Sequence, residues 1–152
     1  MNDVATINKF MTLLEGKVFH ATTWESYESI KNDGYIYPNQ MDYYHSPFGS
    51  ENGYFKSKGC VSFFDYRSTK KNKDYMLLCI PTRIFEVSRK MVILELSTKK
   101  YDRLISSSKW LEEDSSKKVV PRIEVGVKGP VSISDIQRIS VYNQKASSLK
   151  TD

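Results

Sequence analysis

The order of its segments limits this chain more than any one motif: the helices come early, and from residue 59 onward the sequence is mostly strand. Val4, Ile7, Phe10, Met11 and Leu14 recur at i, i+3, i+4 and i+7, which predicts a helix over residues 3–14 closed by Gly16. Lys17 to Ala21 reads as a short strand, with Val18 and His20 on one face and Phe19 and Ala21 on the other. Thr22 or Thr23 caps a second helix, with Trp24, Tyr27 and Ile30 as its apolar stripe and Gly34 as its left-handed stop. A brief strand at 35–37 follows.

The later strands are Gly59–Asp65, Met91–Leu96, Val119–Val127 with Pro121 marking an edge or bulge, and Arg138–Tyr142. Residues 74–85 are ambiguous, because MLLCI looks buried and Pro81 breaks the segment. Ser97 caps a short helix running to about Ile105, and Ile133–Ile136 is one helical turn. Two loops stand out. Residues 39–58 are polar and aromatic, and their Tyr43, Tyr44, Phe48, Tyr54 and Phe55 should fold over the core or a ligand. Residues 106–118 are poor in apolar side chains and read as a mobile loop with Trp110 as anchor. Helix, strand, helix and then strands make an α+β fold, not an alternating βαβ chain. Residues 1–152 are expected to form one domain, with 143–152 a frayed tail.

Ten Tyr and seven Phe supply core mass for a folded chain. No apolar run is long enough to span a bilayer, and the first sixteen residues lack the pattern of a signal peptide, so a cytoplasmic location is expected and a membrane partner is not. Cys60 and Cys79 sit in apolar runs and read as buried thiols, a disulfide between them being the alternative. No metal is expected, because two Cys and two His lack paired spacing. The net charge of +5 favours an anionic partner, although short lysine runs such as Lys70-Lys71 and Lys117-Lys118 also suit a solvated face.

Three segments carry a family resemblance: Phe19-His20-Ala21-Thr22 with Ile30 to Gly34; Gly59 to Arg67, GCVSFFDYR; and Arg122 to Val127 with Ile133 to Ile139. In this order they resemble the ADP-ribosyltransferase fold, in the branch of DarT-type DNA ADP-ribosyltransferases and tRNA 2′-phosphotransferases. The resemblance implies a split β-sandwich of two small, mostly antiparallel sheets with two or three helices and an NAD cleft. It implies NAD as co-substrate and transfer of ADP-ribose to a macromolecule, nucleic acid or a protein that binds it. The family brings a Tyr or Ser from its central strand to the cleft; here Ser62, Phe63, Phe64 and Tyr66 are the candidates.

Breaking the nicotinamide–ribose bond gives the sugar oxocarbenium character, as in glycoside hydrolysis. Glu124 would stabilise that charge and deprotonate the acceptor. His20 would donate to a ribose hydroxyl, with Thr22 on the same strand face. Phe63 or Phe64 would stack on nicotinamide, Arg67 would pair with pyrophosphate, and Tyr43 and Tyr44 would close over the ligand. The resemblance requires His20 and Glu124 to face one cleft, with an aromatic ring between or beside them. Taken alone, His20 reads as a half-buried structural histidine, and Glu124 as a strand residue facing solvent or a cleft. The competing function is a non-catalytic binding protein on the same scaffold, for example an inhibitor of nucleic-acid machinery in phage–host conflict, with loop 39–58 as its interface. A 2′-phosphotransferase is disfavoured by the few basic residues beside His20, and a nuclease by the absence of metal-ligand spacing.

Overall fold

The computed structural model describes residues 4–38, 53–68, 74–113, 117 and 119–144. Its elements are α1 (Val4–Leu13), β1 (Val18–Thr23), α2 (Trp24–Asp33), β2 (Tyr35–Ile36), α3 (Tyr54–Ser57), β3 (Cys60–Asp65), β4 (Lys90–Leu96), α4 (Ser108–Glu113), β5 (Glu124–Lys128), β6 (Val131–Ser132) and β7 (Ile136–Asn143). Short 3₁₀ turns at Leu77–Cys79, Pro81–Glu86, Thr98–Arg103 and Ile133–Asp135 fill the connections. The fold is α+β. Five strands pair antiparallel in the order β5-β3-β1-β4-β7, and β2 pairs with β6 in a separate two-stranded sheet.

The large sheet is covered on both faces. Phe19, Ala21, Phe64, Met91 and Ile93 meet Phe10 and Leu14, from α1 and the turn after it, together with Met76, Cys79, Ile84 and Phe85. Val18, Val61, Phe63, Val92, Leu94 and Val125 meet Ile30 of α2, Ile36 of β2 and Val131 of β6. Two-sided burial explains the unbroken apolar run of β4, in which Met91 to Leu96 are all buried. Each fully buried aliphatic side chain contributes about 1.5–3 kcal/mol.

Strand β1 passes straight into α2. The Thr23 hydroxyl accepts from the Ser26 amide at 3.1 Å and caps the helix, and Glu25 lies in the first turn, where the helix dipole favours a carboxylate. Gly34 ends the helix at φ 82°, its amide bonded to the Ile30 carbonyl.

Three expectations are corrected. Residues 108–113 are helical (α4), and the Trp110 indole donates to the Lys117 carbonyl. The strand expected over 119–127 is only Glu124–Lys128, because Pro121 lacks an amide and Arg122 takes φ 66°, so 121–123 turn instead. The end of the segment expected as a loop over 39–58 is helical: α3 places Tyr54 and Phe55 in the core, whereas Tyr43, Tyr44, Phe48 and the tail beyond 144 lie outside the described residues. Cys60 and Cys79 are free and buried. Among the described residues no helix is long and apolar enough to cross a membrane.

Candidate functional site

The register between β1 and β3 is short. Val18 pairs with Asp65 and Phe19 with Phe64, and the pairing stops there, although β1 stays paired with β4 through Thr23 and β3 with β5 back to Cys60. The sheet therefore parts in its middle at His20. Gly126 exchanges both backbone hydrogen bonds with Ile105, so its partner Ser62 turns its own amide and carbonyl the other way, towards β1. The carbonyl is met by the His20 ring instead of a β1 amide: Nδ1 lies 2.8 Å from it. A side chain has replaced a ladder bond.

A second link leaves Ser62 on the far side. Its hydroxyl donates to Glu124 Oε2 at 2.7 Å, and Glu124 Oε1 accepts the Val120 amide at 3.1 Å. The turn before β5 sets this up, because the Glu124 amide in return bonds the Val120 carbonyl at 2.9 Å. The Arg122 amide donates to the Ser107 hydroxyl at 2.8 Å, which ties the same turn to the start of α4. Arg122 at positive φ costs roughly 1–2 kcal/mol for a residue with a Cβ, and such strain persists where the surroundings enforce it.

His20, Ser62 and Glu124, from three adjacent strands, are thus joined by two separate hydrogen bonds, one to the Ser62 carbonyl and one from its hydroxyl. They do not share a face. Alternation puts His20 with Val18 and Phe63, and Ser62 and Glu124 with Phe64 and Cys79. His20 and Glu124 therefore do not face one cleft, as the resemblance requires; they lie on opposite faces of the sheet and, among the described residues, are joined only through Ser62 of β3, which counts against the resemblance. The aromatic ring beside His20 is Phe63, 5.8 Å between centroids.

The electrostatics follow from burial. Glu124 is 8% exposed, and desolvation raises its carboxyl above the usual range against the opposing bonds from Ser62 and Val120. No cation pairs with it among the described residues. Burial lowers the His20 pKa, and the Ser62 carbonyl partly restores it. A neutral imidazole whose Nδ1 hydrogen goes to that carbonyl leaves Nε2 as an acceptor. The expected donation from His20 to a ribose hydroxyl is thereby reversed in sense.

The other expected residues divide. Thr22 is buried opposite Val92 of β4. Phe63 and Phe64 are core residues on opposite faces, 0% and 7% exposed, and neither ring offers a free face for stacking. Arg67 spends its fork on Asp65, with Nε and Nη2 at 2.9 and 2.8 Å, and lies over the Tyr101 ring. Tyr43 and Tyr44 lie outside the described residues. Among the described residues no three His, Cys, Asp or Glu side chains gather as metal ligands. Cys79 is pushed up to about 12 by burial and the nearby Glu124 charge, which keeps its thiol protonated.

Phe55 is the neighbour that sequence reasoning left in a loop. A Cβ on Gly126 would overlap its ring, so Phe55 roofs the strand position paired with Ser62 and two residues from Glu124. A glycine inside a strand signals such a close approach. The ring is held by its neighbour Tyr54, whose hydroxyl donates to Glu113 at 2.8 Å while Lys58 pairs with the same carboxylate at 2.9 Å. No family model, curated protein or solved structure matches the chain.

Proposed function

We propose that this protein is an NAD-dependent mono-ADP-ribosyltransferase that modifies a macromolecule. The observation that carries the reading is the parting of β1 from β3 at His20, with Ser62 bonded to Glu124 on the far side. Neither strand face alone holds the three side chains, so this reading requires β1 and β3 to separate further before one ligand can reach His20 and Glu124. Nε2 of His20 accepts from a ribose hydroxyl. Ser62 orients the Glu124 carboxylate, which stabilises the developing sugar cation and then takes the proton of the attacking nucleophile. In a site this dry, a carboxylate acts on that cation far more strongly than it would in water. Phe63 and Phe64 serve as packing that fixes His20 and Ser62. The test is incubation with nicotinamide-labelled and adenine-labelled NAD and a cell extract. Label transfer and nicotinamide release are expected, both lost in Glu124→Gln and reduced at least tenfold in Ser62→Ala. Neither release nor transfer with the intact protein would overturn the reading.

The burial of Glu124, with Phe55 packed against Gly126 two residues on, favours one alternative, a non-catalytic binding protein on an ADP-ribosyltransferase-like scaffold. In that case a stable partner is retained by His20→Ala and Glu124→Gln proteins, and its binding is lost on substitution of Tyr43 and Tyr44 together.

A further inference from the structure

Strand β7 closes one side of the large sheet, and among the described residues no strand pairs with its outer edge. The opposite edge, β5, is covered where Gly126 exchanges both backbone bonds with Ile105. Folded proteins blunt an open edge with lysine, proline, a mid-strand bulge or short length. β7 runs for eight residues, IQRISVYN, without proline or lysine, and its register shift lies at its start, opposite Glu95 and Leu96. There the Gln137 side chain turns back, donating to Glu95 at 2.7 Å and accepting the Thr98 amide at 3.3 Å. Beyond it Arg138 to Asn143 pair regularly with β4. The Gln144 amide donates to the Arg89 carbonyl at 2.9 Å. By antiparallel alternation the main-chain groups of Tyr142, Ser140 and Arg138 also face β4, and those of Asn143, Val141 and Ile139 face outwards. The same outward residues carry an apolar pair of side chains, Ile139 at 39% and Val141 at 43% exposed. They stand opposite Leu94 and Val92, so they continue past α2 the face that Ile30 of that helix covers.

We propose that β7 pairs antiparallel with β7 of a second copy of this chain, about a two-fold axis at Ser140, so that one sheet runs through the dimer. The edge is self-complementary in that register, as a two-fold interface must be. Ile139 lies opposite the partner's Val141, and Val141 opposite the partner's Ile139. All four have outward main-chain groups, so each pair exchanges two backbone bonds. Arg138 is the one charged residue of the strand, is exposed, and has no carboxylate on it among the described residues. It falls opposite the partner's Tyr142, within reach of that ring, and no like charges meet. An axis at Ile139 would set Val141 against the partner's Gln137, and one at Val141 would set Ile139 against the partner's Asn143. Each would replace the two mixed apolar pairs with apolar–polar ones. A contact of this length is smaller than a standard interface, so the dimer is weak and reversible. β4 separates β7 from β1, so pairing leaves the parting at His20 untouched and does not depend on the enzyme reading.

Sedimentation velocity of the full chain from micromolar to millimolar concentration should show a concentration-dependent monomer–dimer equilibrium. Val141→Pro removes an amide that faces outwards from the edge, and proline is tolerated there. It should weaken association at least about tenfold, because the symmetric contact loses two bonds. Ile139→Lys combined with Val141→Lys sets lysines opposite each other and should abolish the dimer; both positions are exposed, so the fold survives, as circular dichroism will show. Register is read by cross-linking. Two copies of residue 140 form a pair without backbone bonds, with Cα atoms about 4.5 Å apart. That is within disulfide reach, so Ser140→Cys should give a covalent dimer on mild oxidation. The two copies of residue 138 stand four positions apart along the strands, about 13 Å, and Arg138→Cys should not cross-link. Cys60 and Cys79 are buried, so the parent should not either. A monomer at millimolar concentration, association unchanged in the double-lysine variant, or equal cross-linking of Arg138→Cys and Ser140→Cys overturns the proposal.

Discussion

Replacing Glu124 with Gln should make the protein more stable at neutral pH while removing the proposed chemistry. The carboxylate is 8% exposed, has no cation partner among the described residues, and is held by two hydrogen bonds. An amide fills the same volume: its oxygen accepts the Val120 amide, and its nitrogen donates to the Ser62 hydroxyl, which rotates to accept. Burying an ion costs several kcal/mol after relaxation. Charge makes each of the two bonds stronger by only about 1 kcal/mol than its neutral counterpart. The balance favours Gln by about 1–2 kcal/mol at pH 8. At roughly 2–4 °C per kcal/mol for a chain of this size, Tm rises by about 2–8 °C.

The pH dependence is the sharper part. Burial raises the folded carboxyl pKa above its unfolded value, so the unfolded chain gives up its proton first as pH rises. Between the unfolded pKa of about 4.3 and the raised folded pKa the parent loses stability with rising pH, and the Gln variant has no such loss. Thermal melts at pH 4 and pH 8 should therefore nearly coincide at the acid end and separate at the other. A variant less stable than the parent by the same margin at both pH values would refute the reasoning, because the cost would then be steric and independent of charge.

Further outcomes follow from the same geometry. Gly126→Ala should destabilise by about 1–3 kcal/mol through overpacking against Phe55, and combining it with Phe55→Ala in a urea-denaturation cycle should give strong coupling. His20, whose pKa is lowered by burial, should cost stability as pH falls below about 6.5, with a slope of at most about 1.4 kcal/mol per pH unit. His20→Asn should flatten that part of the stability–pH curve, and an unchanged curve would place the acid sensitivity elsewhere. Arg122→Gly should gain up to about 1 kcal/mol by relieving its positive φ, read as a shifted urea midpoint at constant m. Tyr54→Phe should lose about 1 kcal/mol with the Glu113 bond, and its absorbance titration should lack a late-ionising component that the parent shows, since burial pushes the Tyr54 phenol up to about 12.

Where local chemistry decides structure, the sequence was legible. The 3.6-residue period gave α1, the Thr–Ser hydroxyls gave the caps of α2 and of the 3₁₀ turn after Ser97, and Gly34 gave the stop. The failures lie where tertiary contacts override propensity. Val119 to Val127 is rich in strand formers, yet the carboxylate bond of Glu124 to Val120 and the Ser107 bond to Arg122 hold its first half as a turn. Residues 108–113 have few apolar side chains to signal a helix, and the Trp110 anchor alone gave no period.

The site itself was half legible, and the missing half is a matter of register. His20 and Glu124 stand out by residue type, but nothing local says which of Ser62, Phe63, Phe64 and Tyr66 connects them. Alternation narrows the choice only once β5 is placed: Phe63 then lies with Val125 and Val61 in one core, and Phe64 and Tyr66 in the other. Ser62 is the polar member left, opposite the one glycine of β5, where no side chain competes for the space taken by Phe55 and the Glu124 carboxylate. A serine paired with a glycine beside a buried acid is a costly place for a hydroxyl unless that hydroxyl holds the acid. Ser62→Ala should accordingly cost more than a solvent-facing serine would, about 1–3 kcal/mol, with the loss greatest above the folded pKa of Glu124, where the carboxylate it serves is charged. A loss that is the same at pH 4 and pH 8 would assign Ser62 to packing and not to holding the Glu124 carboxylate.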